Sequence, residues 1–241
     1  IRISCRPTFI FAHSMGSFMA QDFMQRYTHH VSKVVLCGSG AKNPLIPIAF
    51  PLAKFIAFIR GREKKAGLMS KLMFGSFNKK IQSPRTKFDW LSYNEENVDK
   101  YIADPLCGFG PNNGFCVEFL KGLNRLYKKR FLQKIRKDLD VLIISGQDDP
   151  VSNYGKDVGR LETMYKNCGL TNVHTKIYPN MRHEILNERD NHVVYEDVVA
   201  FFKHEIEKKN KTIWSAMWAL MTISITALIA GLLIAAYLIP E

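Results

Sequence analysis

Three residues of this 241-residue chain have types and settings suited to acyl transfer: a serine, a histidine and an aspartate. Ser14 stands in Phe11-Ala12-His13-Ser14-Met15-Gly16-Ser17, where an apolar run gives way to a helical pattern. A serine on such a sharp strand-to-helix turn is pushed above the sheet, and small residues two before and two after it let strand and helix pack. Here those neighbours are Ala12 and Gly16. Glycine is usual at both places, so Ala12 is a departure that adds one methyl group. A serine hydroxyl needs a base, and the base needs an orienting acid. His183 lies in a loop after an apolar run, in Pro179-Asn180-Met181-Arg182-His183-Glu184. The other six histidines fall on helices, in strands or, like His13, beside the serine. An acid loop comes between serine and histidine, Gly146-Gln147-Asp148-Asp149-Pro150-Val151, and adjacent Asp148 and Asp149 compete for the role.

Elements that would position these loops follow from periodicity. Short apolar runs of the buried parallel-strand type occur at Thr8 to Ala12, Lys33 to Cys37, Val141 to Ser145 and His174 to Tyr178. Helical patterns follow at Gly16 to Tyr27, Gly155 to Asn167 and Asn191 to Lys208. Alternating strand and helix predict an α/β fold with a mostly parallel sheet, whose ligands sit outside the carboxyl ends of the strands. An insertion of about 95 residues, far beyond an ordinary loop, separates the second and third strands. It predicts a helical cap over residues 41–137, between core segments 1–40 and 138–209. Ile48, Leu52, Phe55, Ile56 and Ile59 mark one cap helix, and Val117, Leu120, Leu123, Leu126 and Phe131 another. Phe50, Phe55, Phe58, Phe74 and Phe77 are candidates to line an acyl channel.

Residues Ile213 to Pro240 carry no charge. A helix of that length is roughly 42 Å long against a hydrocarbon thickness of ~30 Å, so a transmembrane helix is expected over 213–239. Lys203, Lys208, Lys209 and Lys211 precede it and no basic residue follows, which predicts a single-pass protein with its catalytic part on the cytoplasmic side. Ala227, Gly231 and Ala235 form a small-residue stripe suited to a weak homodimer. The net charge of +12 favours anionic partners, and without nucleic-acid signatures it points to a membrane and away from nucleic acid. Five cysteines without a C-x-x-C pair argue for reduced thiols and against a structural metal site.

At the level of motifs, the chain resembles the monoacylglycerol lipase and lysophospholipase branch of the alpha/beta-hydrolases, often labelled serine aminopeptidase S33. His13-Ser14-Met15-Gly16-Ser17 resembles the family's nucleophile elbow, and Leu142 to Val151 its acid loop. Arg182-His183-Glu184-Ile185-Leu186-Asn187-Glu188 resembles its histidine loop, and Ala103-Asp104-Pro105-Leu106-Cys107-Gly108-Phe109 a stretch of its cap. The resemblance places the catalytic aspartate three after the glycine, hence Asp149, and completes a triad of Ser14, Asp149 and His183. It implies hydrolysis of monoacylglycerol-like or lysophospholipid-like esters through an acyl-enzyme, without metal or cofactor. The backbone N–H of Met15 is the expected oxyanion donor. A second donor comes in this fold from a loop upstream of the elbow. Only Ile1 to Pro7 precede the elbow's strand, so the N-terminal strands are expected to be missing and the chain alone to be poorly folded and poorly active. The alternative from another class is a membrane-anchored binding or tethering protein that keeps the fold without turnover. A peptidase of the same family is the less favoured reading, because nothing resembles a site for a peptide's amino group.

Overall fold

The computed structural model describes residues 7–203. Four strands, β1 (Phe9–His13), β2 (Lys33–Cys37), β3 (Asp140–Gly146) and β4 (Val173–Tyr178), form a sheet of order β1-β2-β3-β4 in which every pairing is parallel. Parallel neighbours need crossovers, and helices supply them: α1 (Met15–Tyr27) joins β1 to β2 and α7 (Lys156–Asn167) joins β3 to β4. Residues through Val198 make one compact unit, and a second begins at Val199. Residues 192–203 are helical.

Burial divides the strands. All five residues of β2, and all of β3 except Asp140, are buried, as expected for central strands covered on both faces. β4 differs from the buried strand its apolar run predicts, because His174, Thr175, Lys176 and Ile177 are exposed. It has one hydrogen-bonded neighbour among the described residues. The main core joins Val34, Leu36 and Ile143 of the sheet with Met24 of α1 and Leu161 and Tyr165 of α7.

Between β2 and β3 lie α2 (Ile46–Arg60), α3 (Gly67–Phe74), a 3-10 turn over Asp89–Leu91, α4 (Glu95–Ala103), α5 (Asn113–Leu126) and α6 (Lys129–Leu132). Their own apolar cluster joins Ala53 and Ala57 of α2, Met69 of α3 and Cys116, Val117 and Leu120 of α5. Much of the apolar stripe of α2 is exposed, Ile48 69% and Phe55 61%, while Ile56 packs on the cap cluster together with the alanines. Phe131 belongs to α6 and not to the helix of Leu126, because the chain breaks helical geometry at Tyr127 and Lys128.

The sheet brings the candidate residues together, since β1, β3 and β4 all end at the same edge and release Ser14, the acid loop and the histidine loop there. The expected transmembrane helix, its orientation and the stripe of Ala227, Gly231 and Ala235 lie outside the described residues. Among the described residues no helix is long and apolar enough to cross a membrane.

Candidate active site

Ser14 occupies the one-residue joint between β1 and α1 at φ 54°, ψ −125°. Such a backbone costs a non-glycine residue about 1–3 kcal/mol and persists only where surrounding bonds enforce it. Its N–H donates to the Cys37 carbonyl at 2.9 Å, and its own carbonyl accepts from Ser17 N at 2.9 Å and from the Ser17 hydroxyl at 2.6 Å. The methyl group of Ala12 is accommodated, 8% exposed within the main core.

The hydroxyl of Ser14 lies 2.8 Å from Nε2 of His183, and Nδ1 of His183 lies 2.9 Å from Oδ1 of Asp149. A carboxylate only accepts, so the imidazole proton resides on Nδ1 and Nε2 presents its lone pair to the serine. Asp149 is fully buried. Its Oδ1 also accepts from Val151 N at 2.8 Å, and its Oδ2 lies 3.1 Å from the Ser145 hydroxyl. Burial alone would push its pKa up, but His183, the Val151 N–H and the Ser145 hydroxyl outweigh burial and hold it below the usual carboxylate value.

Geometry separates the two adjacent aspartates. Asp148 is half-buried and turned away, its Oδ2 accepting from the Tyr93 hydroxyl at 2.9 Å. Met15 is the first residue of α1, so its N–H has no acceptor within the helix and stands at the positive end of the helix dipole beside Ser14.

Three residues to which the sequence assigned no role at the site lie against the His183 imidazole. Gly38, just after β2, has φ +58°, and a Cβ there would lie 2.9 Å from Cε1 of His183. The Trp90 ring lies 5.1 Å from the His183 ring, and His13 packs at 4.5 Å while its Nε2 lies 3.0 Å from the His183 carbonyl oxygen. Burial first, and then nearby His183, push the pKa of His13 down, which favours its neutral form. A glycine closing a buried strand was the available signal for Gly38; nothing local marks Trp90.

A cavity of about 800 Å³ opens at Ser14. Beyond Met15 and Phe18, much of its wall comes from α2, α3 and α5, among them Ile46, Leu52, Met69, Leu72 and Leu123, and Lys42, Asn43, Asp157 and Arg160 add polar groups. Of the five phenylalanines expected to line an acyl channel, Phe74 and Phe77 do so. Phe55 and Phe58 point outward, 61% and 88% exposed, and Phe50 packs against the cap's apolar cluster.

A parallel sheet with a strained serine elbow, followed in order by an acid and a histidine loop, defines an alpha/beta-hydrolase. The chain belongs to the family Hydrolase_4, described as serine aminopeptidase, S33, which matches residues 2–190. Over 200 residues it is 26% identical to a monoacylglycerol lipase of Mycolicibacterium smegmatis, covering 81% of this chain and 61% of that protein. A thermostable carboxyl esterase from Bacillus coagulans, solved with glycerol, superposes with a TM-score of 0.77 at 27% identity, covering 83% of this chain and 65% of the esterase. A soluble variant of monoglyceride lipase from Saccharomyces cerevisiae shares the fold, with a TM-score of 0.59 at 22% identity over 82% of this chain and 62% of the lipase. The chain therefore spans about three fifths of the length of the curated relative it matches, 61%.

Proposed function

We propose that the protein hydrolyses carboxylic esters of the monoacylglycerol or lysophospholipid type through a covalent acyl-enzyme. The observation that carries the proposal is the continuous contact from the Ser14 hydroxyl through His183 to buried Asp149. Ser14 Oγ attacks the ester carbonyl carbon while His183 Nε2 takes the hydroxyl proton, and Asp149 stabilises the imidazolium that results. The carbonyl oxygen becomes an oxyanion facing the Met15 N–H. Removing one such donor typically costs about 10²–10³ in rate. The intermediate collapses, and His183 returns the proton to the departing alcohol. Water, deprotonated by the same imidazole, then releases the acid and restores Ser14.

Support for a lipid substrate comes from the cavity, whose aliphatic, methionine and phenylalanine walls suit an acyl chain. The names of the relatives, a monoacylglycerol lipase and a carboxyl esterase, agree with it. A membrane as partner is supported by the surface of α2. Ile48, Phe55, Phe58 and Ile59 are each more than half exposed, and exposed Lys54, Arg60, Lys64, Lys65 and Lys71 lie around them in the chain with Glu63 as the sole acid. Apolar insertion and attraction to anionic headgroups act together in such interfacial surfaces. The uncharged stretch 213–239 is proposed as the accompanying membrane anchor, with the catalytic part on the cytoplasmic side.

The test is turnover of monoacylglycerol and of a short soluble ester by the intact protein, together with fluorophosphonate labelling. Labelling and turnover that both vanish in Ser14→Ala are expected. A folded intact protein that neither labels nor turns over either ester would overturn the proposal in favour of a binding protein on this fold.

A further inference from the structure

The loop carrying His183 is fastened to the cap by a buried acid outside the triad. Glu188 follows the turn Ile185–Asn187 and is 4% exposed. Its Oε1 accepts from Arg182 N at 2.9 Å, one residue before the base. The same carboxylate accepts from the Ser92 hydroxyl at 2.8 Å, Tyr93 N at 3.0 Å and Asn94 N at 3.2 Å, all on the strand of chain that follows Trp90. The Arg182 side chain reaches back to the same segment, donating to the carbonyls of Asp89 at 2.7 Å and Ser92 at 3.1 Å, and Glu184 N donates to Leu91 O at 2.7 Å.

Every group facing the Glu188 carboxylate is a donor. Only a carboxylate presents acceptors on both oxygens, so an amide there would turn its NH₂ against an N–H or O–H. Removing the acceptor altogether would leave several buried donors unpaired, each carrying an uncompensated desolvation cost. A carboxylate placed this deep, with no ion pair to it among the described residues, is itself costly to bury, and several hydrogen bonds compensate it. These bonds fix the backbone on the Arg182 side of the base, while the Trp90 ring, carried by the segment they hold, sits 5.1 Å from the imidazole.

We propose that Glu188 is a positioning residue for catalysis: it locks the cap segment bearing Trp90 to the histidine loop and so sets where His183 stands relative to Ser14. The inference rests on the reading of His183 as the base. A displacement of about 1 Å at a reacting group costs on the order of 10²-fold, so a relaxed loop lowers kcat even where the ester still binds.

The experiment compares Glu188→Gln, the milder Ser92→Ala and a core control, Leu161→Ala, in the intact protein. Two readouts are taken: steady-state kinetics on a short soluble ester, giving kcat and KM, and the far-downfield proton resonance of His183 Nδ1–H in its bond to Asp149. Glu188→Gln is expected to lose about tenfold or more in kcat with KM within about twofold, and to shift or broaden the resonance. Ser92→Ala moves both in the same direction by less. Leu161→Ala lowers stability and leaves both in place. Folded Glu188→Gln with unchanged resonance and kcat overturns the proposal. If that variant fails to fold, Ser92→Ala decides in the same way. Absence of turnover in the wild-type protein would count against the hydrolase reading alone, because the resonance still reports whether Glu188 holds the base.

Discussion

At Ser14 the strained backbone and the contact with His183 are one feature, since φ 54° at the joint between strand and helix is what aims Oγ at Nε2. Asp149→Asn keeps the shape but presents an amide that favours the wrong imidazole tautomer. We expect kcat to fall on the order of 10⁴-fold with KM little changed, measured by steady-state kinetics on a soluble ester. Gly38→Ala should cost activity through space alone, because the added methyl lies 2.9 Å from His183 Cε1 at a positive φ. A fall on the order of 10²-fold in kcat is expected, and an unchanged kcat would mean that the ring can shift without loss. Asp149 also predicts a pH effect on stability. Its folded pKa is held below the unfolded value of about 3.9, so its contribution is present above that value and is lost as pH falls through the folded one. Thermal unfolding of the wild type should exceed that of Asp149→Asn at neutral pH, and the gap should close only in strong acid.

At the scale of elements, α2 separates what periodicity reveals from what it leaves open. Ile48, Leu52, Phe55 and Ile59 announce a helix, and α2 runs Ile46–Arg60. The same pattern points to a core face, yet the buried residues are Ala53 and Ala57. A one-dimensional pattern identifies an apolar face but not what covers it, and small residues opposite allow the close approach of α5. The exposed face carries a prediction. Phe55→Ser with Phe58→Ser should change stability by no more than about 0.5 kcal/mol, since both side chains lie in solvent. Activity on monoacylglycerol in anionic vesicles should fall relative to activity on a soluble ester. Equal losses on both substrates would argue against a membrane role for this face. β4 teaches a similar lesson: its apolar run reads as a central strand, whereas its four middle residues are exposed.

Across the whole molecule, stability concentrates in β2 and β3 and the helices packed on them. Ile143 is fully buried in that core, and Ile143→Ala should cost about 2–5 kcal/mol in chemical denaturation with KM nearly unchanged. Raised salt should weaken vesicle binding, because the +12 charge is screened over about 10 Å at 0.1 M ionic strength.

The sequence by itself determined the alternation of strands and helices, the serine elbow and the chain order of acid and histidine loops, because each is a local pattern of a few residues. It left Asp148 and Asp149 equal as chemistry, and only resemblance to a family chose between them. The tertiary structure gave the two aspartates different partners, Tyr93 for Asp148 and His183 for Asp149. Packing likewise decided the space reserved by Gly38, the Trp90 ring beside the base and the exposure of α2. Such features depend on residues distant in the chain meeting at a strand edge, a relation that no spacing within a single segment encodes.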